Sequence, residues 1–156
     1  MIKFALCVSL CLNFLAGGQM KNSLITNYFE QASSITITNN GQESSFQKGD
    51  DKFESVLNSL ELITKKSHEL PAFSVALDGE TRTVKQSGLW LELNFNTEQT
   101  HNEMPFESLL IEVNSKHSGF NLIRKQNGVY DGRCFYLDLN GNMSHLETTI
   151  LNILKT

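Results

Sequence analysis

The chain has 156 residues, 13 Lys and Arg against 17 Asp and Glu, a formal charge of −4, 40% hydrophobic residues and three Cys. This is the size and apolar content of one globular domain, not of a disordered polymer. The acidic balance excludes a basic nucleic-acid binder, which needs surplus cations for phosphates. Three cysteines cannot build the disulfide lattice of a small secreted scaffold.

Residues 1–18 read as a secretory signal peptide. Lys3 precedes an apolar run from Phe4 to Ala16, and the small residues Gly17 and Gly18 follow before the composition turns polar. The run is too short for the roughly 20 helical residues that span a membrane, so no stable transmembrane segment is expected. Leu15–Gly18 has the spacing of a bacterial lipobox, but Gly18 stands where a lipidated Cys is required. The competing reading makes Phe4–Leu15 a buried element of a cytoplasmic domain. With export, residues 19–156 form one domain, secreted or held at the cell envelope, and Cys134 is its sole cysteine. A monomer is expected.

In chain order, Leu24, Ile25, Tyr28, Phe29 and Ala32 make one stripe of a short helix over 21–32. Residues 34–47 predict a β-hairpin about Asn40-Gly41, a pair suited to positive φ. Asp50 or Asp51 opens a helix over 51–66, with Phe53, Val56, Leu57, Leu60 and Ile63 on one face and Pro71 beyond its end. The period then drops to two. Phe73, Val75 and Leu77 predict a strand ending in a turn at Asp78-Gly79. Leu89–Phe95, Leu109–Val113, Phe120–Leu122 and Val129–Leu139 predict further strands, with a loop over 96–106 and a hairpin at Asn127-Gly128. Ser144 and Glu147 form a capping-box pattern ahead of a C-terminal helix over 144–155. Short connections make the strands mostly antiparallel. The predicted fold is an α+β two-layer sandwich: a mainly antiparallel sheet of about five to seven strands with two or three helices packed on it.

One sheet face repeats Phe73, Val75, Leu89, Leu91, Leu93, Ile111, Val113, Phe120, Leu122, Phe135 and Leu137 and is the predicted core. The other mixes aromatic and acidic residues, Trp90, Tyr130 and Tyr136 with Glu92 and Glu112, a composition found at binding surfaces. Either the N-terminal helix covers that face or a ligand does. The binding candidates are Trp90, Glu92, Arg133 and Tyr136. The catalytic candidates are Cys134, whose neighbour Arg133 favours a thiolate, and His101 in the 96–106 loop. A Cys134–His101 or Cys134–His117 pair has the residue types of a nucleophile and its base, although Gly132–Phe135 reads as strand. His101-x-Glu103 lacks the Pro-Cys-x-x-Cys partner of zinc deaminases, and His68, His117 and His145 are scattered, so neither a metal site nor a cofactor is expected.

Asn102–Phe106 and Gly132–Leu139, with Gly88–Glu92 and Gly119–Arg124, resemble segments of small uncharacterised secreted or lipoprotein-like proteins of Gram-positive bacteria. The likeness spans roughly residues 35–153 and implies a bacterial source and an envelope location, but no catalytic residues. The resulting expectation is an exported bacterial binding module that presents the Trp90/Tyr136 face, or the 96–106 loop, to a protein or small ligand. The alternatives are a small thiol-dependent enzyme using Cys134 and an immunity or inhibitor-like protein.

Overall fold

The structure, a computed structural model, describes residues 24–156. The predicted signal segment, with Cys7 and Cys11, lies outside them. A 3₁₀ helix (Ile25–Gln31) leads into strands β1 (Ser34–Asn39) and β2 (Gln42–Gln47), then helix α1 (Asp51–Thr64). Next come β3 (His68–Leu70), β4 (Val75–Ala76), helix α2 (Asp78–Val84), β5 (Leu89–His101) and β6 (Met104–Glu112). The chain closes with β7 (Gly119–Gln126), β8 (Val129–Tyr130), β9 (Gly132–Arg133), β10 (Phe135–Asp138) and helix α3 (Ser144–Ile153). Eight strands form one antiparallel sheet in the order β2-β1-β5-β6-β7-β10-β3, with β8 also on β7, and β4 pairs β9 in a separate ribbon. The fold is α+β.

The core lies on one side of this sheet. Ile35, Ile37, Leu91, Leu93, Leu109, Ile111, Leu122 and Phe135 face Phe53, Val56 and Leu60 of α1, Leu146 and Ile150 of α3, and Ile25 and Phe29 of the 3₁₀ helix. Each is an apolar residue at period two on a strand or at helical spacing, so burial selects the faces seen in the sequence.

Several expectations require correction. The N-terminal helix is a 3₁₀ segment, and it packs in the core layer, not over Trp90. The outer face is partly covered by α2, where the sequence suggested only a turn at Asp78-Gly79. That helix has almost no apolar stripe, because a single residue, Thr81, is buried. Phe73 and Val75 do not join the core; they are exposed beside the short β4–β9 ribbon. The 96–106 loop is strand, since β5 and β6 continue as a ribbon to a two-residue turn at Asn102-Glu103 after an irregularity between Asn94 and Gln99. Polar side chains mask it because much of this extension projects into solvent. The predicted final strand is broken into β8, β9 and β10. The helix starts also differ. Asp50 accepts from the Gln47 N–H (2.9 Å), and Glu147 reaches the Ser115 N–H (3.2 Å) rather than closing a capping box.

Gly119 joins the fold to the outer face. A Cβ there would lie 2.6 Å from the Leu137 carbonyl oxygen and collide with the Tyr136 ring and hydroxyl. Gly119→Ala is therefore expected to cost about 1–3 kcal/mol by overpacking, read as a lower urea midpoint at unchanged m-value. Adding Tyr136→Leu should recover only part of the loss, because the backbone collision remains.

Candidate functional site

The outer sheet face carries a buried polar cluster beneath α2. Glu92 points outward from β5 and is 4% exposed. Its Oε1 accepts from Ser108 Oγ (2.6 Å) and Lys125 Nζ (3.4 Å). Its Oε2 accepts from Tyr130 Oη (2.8 Å) and Lys85 Nζ (3.3 Å). Lys85 also reaches Glu43 Oε1 at 2.9 Å, and Lys125 and Arg82 lie over the Tyr130 ring. Burial pushes the Glu92 carboxyl up, but the Ser108 bond, the two ammonium charges and the Tyr130 hydroxyl outweigh it and hold it below the ordinary range. Burial and the Glu92 charge raise the Tyr130 phenol. Both Glu92 oxygens are filled, so this binding candidate fastens the lysines, β8 and the sheet to one another instead of facing a ligand.

Beyond α2 the same face is open. Trp90, Ile123 and Tyr136 line a groove of about 320 Å³ with Glu112 and His117 at its side. Trp90 is nearly buried and donates its indole N–H to the Ser87 carbonyl at 2.8 Å. Ile123 and Asn121 also border an adjacent apolar hollow of about 290 Å³ walled by Val75, Leu77 and Val84. Two of the four binding candidates, Trp90 and Tyr136, thus share one concave surface.

His101 and Arg133 share a different one. A cavity of about 670 Å³ opens where the Asn102-Glu103 turn meets β3 and β9. His101 is buried between the Tyr28 and Phe135 rings, and its Nε2 lies 2.6 Å from Glu69 Oε1. Glu69 Oε2 accepts the Ile25 N–H (2.9 Å), and its Oε1 also accepts from Asn102 Nδ2 (3.3 Å). Burial raises the Glu69 carboxyl, but the bonds from His101 and Ile25 outweigh it and lower it. Behind the cavity, Arg124 donates from Nε to the Arg133 carbonyl and from Nη1 to the Pro105 carbonyl, each at 2.7 Å. One guanidinium therefore sets the hairpin tip against β9.

Cys134 meets neither histidine. It is 2% exposed, and its Sγ makes a weak contact with the Gly132 carbonyl at 3.9 Å. Burial pushes the thiol up despite the neighbouring Ser74 hydroxyl and Arg124 charge. This is the opposite of the activation a thiolate nucleophile needs. Among the described residues no three His, Cys, Asp or Glu side chains are placed to hold a metal ion. Sequence reasoning missed Glu69, Lys85 and Arg124, whose partners sit on other elements that only the folded chain brings alongside. It also placed Phe73 and Val75 in the core. No helix among the described residues is long and apolar enough to cross a membrane. No family model, curated protein or solved structure matches the chain.

Proposed function

We propose that the protein is an exported bacterial interaction module whose outer-face groove takes an apolar segment of a protein partner carrying basic residues at its flanks. One observation carries this reading: Phe73, Val75, Leu77 and Val84 are 70%, 63%, 54% and 48% exposed. Large apolar side chains concentrated in one short stretch, beside a groove floored by Ile123 and walled by Trp90 and Tyr136, form a contiguous apolar surface that water solvates poorly. Aromatic residues at a concave centre are the usual anchors of protein interfaces.

Charge complementarity selects the partner's flanks. Glu80 borders the α2 end of the surface and Glu112 the Trp90 end. Both are exposed, and neither makes an ion pair among the described residues. Carboxylates at an interface rim favour a basic partner through encounter rate and specificity.

Trp90 is the sole tryptophan, so its fluorescence reports on the groove. A short synthetic peptide alternating Leu and Lys is expected to shift its emission saturably, and a Leu/Glu counterpart is not. The double variant Val75→Ser, Leu77→Ser should abolish the shift while changing stability by no more than about 0.5 kcal/mol, because both side chains are exposed. Equal response to both peptides, or unchanged binding by the double variant, contradicts the proposal. For export, N-terminal sequencing of the protein from a bacterial culture medium should find residues 1–18 removed.

A further inference from the structure

We propose that the cavity between the Asn102-Glu103 turn and Arg133 is a second, separate binding site, and that it takes a small zwitterion: a free amino acid or short peptide with its ammonium toward Glu103 and its carboxylate at Arg133. It does not depend on the groove reading, because the two sites share no lining residue.

The first observation is the turn itself. Among the described residues, three hairpins close through two residues at positive φ. In β1–β2 these are Asn40 (48°) and Gly41 (80°), and in β7–β8 they are Asn127 (50°) and Gly128 (78°). In β5–β6 they are Asn102 (48°) and Glu103 (63°). The second position of such a turn favours Gly, because a Cβ is crowded in the left-handed region. Glu103 therefore sits in a strained conformation where its two counterparts are glycine. Its carboxylate makes no hydrogen bond or ion pair among the described residues. Strain of this kind concentrates at functional positions.

The second observation is the opposing charge. Arg133 lines the same cavity, is exposed, and likewise has no ion-pair partner among the described residues. The backbone that carries the two charges is fastened on both sides of the cavity. Glu69 and His101 anchor Asn102 on one wall, and Arg124 ties Pro105 to Arg133 behind the other. Between them Met104 and Phe135 supply an apolar lining for a side chain. A guanidinium suits a carboxylate through paired N–H donors, and a carboxylate suits an ammonium. At about 670 Å³ the space falls within the range of small-ligand pockets.

The test titrates the purified protein by calorimetry with leucine and dileucine. The controls are isocaproate, which lacks the amine, and isoamylamine, which lacks the carboxylate. Saturable binding of a zwitterion, with both controls at least about tenfold weaker, is the expected result. Binding of leucine assigns the site to free amino acids, and binding of dileucine alone assigns it to peptides. Arg133→Gln and Glu103→Gly should each weaken binding by about tenfold or more. Glu103→Gly should at the same time raise the melting temperature, which a purely structural Glu103 would not do. Absence of binding by both zwitterions, equal binding of either control, unchanged affinity in the variants, or a lowered melting temperature in Glu103→Gly overturns the proposal.

Discussion

Glu92→Ala is expected to be among the most damaging substitutions in the chain, lowering stability by about 3–5 kcal/mol in urea unfolding. Removing the carboxylate leaves Ser108, Tyr130 and Lys85 facing one another at the centre of the outer face without their acceptor. The Lys85 ammonium, with a side chain 11% exposed, retains only Glu43. Uncompensated buried charge is what makes such truncations costly. Glu92→Gln keeps the volume but not the charge, so it should fall between Ala and the parent. The pH dependence follows from the direction of the carboxyl shift. Glu92 is held below its ordinary value, so the unfolded chain binds its proton first as pH falls. Its stabilising contribution is complete above the ordinary glutamate value of about 4.3 and is lost as pH drops through the lower folded value. Glu69 acts in the same direction. Glu92→Gln should flatten the stability–pH curve of the parent below about pH 4.

Arg124→Ala is expected to cost about 2–4 kcal/mol, because it leaves the Pro105 and Arg133 carbonyls without their donor and opens space at the sheet end. The close fit of this guanidinium is visible at Gly132, where a Cβ would lie 2.9 Å from Arg124 Nη2 and where φ is +85°. Arg124→Lys should recover only a fraction, since a single ammonium cannot reproduce a planar fork that serves two carbonyls. Chemical denaturation of the three proteins side by side provides the measurement. Equal stability of the Lys variant and the parent would show that charge alone, not the paired donors, fastens the hairpin to β9.

How far the sequence disclosed this molecule depended on whether a residue's role was local. Asn40-Gly41 and Asn127-Gly128 announce their hairpins because the turn conformation is a property of those two residues. The stripe Phe53, Val56, Leu57 and Leu60 announces α1 because one face of one helix is buried. α2 escaped notice because it is held from outside its own pattern: Arg82 donates to the Gly128 carbonyl, and Asp78 accepts the Tyr130 N–H. Phe73 and Val75 misled because alternation marks a strand with an apolar side but does not say whether another layer covers it.

The sites divide along the same line. The aromatic and acidic character of the Trp90 face was visible, and Trp90 and Tyr136 do line one groove. The closure of Glu92 by Lys85 and Lys125 was not visible, because it takes the register of four strands and a helix to assemble. His101 was a candidate for its place in the 96–106 segment and as a base for Cys134. Its partner Glu69 lies 32 positions away on an edge strand of three residues, which has no sequence signature.

The interaction-surface reading meets its most direct test in amide hydrogen exchange of the full chain with and without the Leu/Lys peptide. The expected result is slowed exchange over residues 73–84 and over 117–123, the two sides of the groove, with α1 and α3 unchanged. Slowing confined to the helical layer, or no slowing at peptide concentrations that saturate the Trp90 signal, contradicts it.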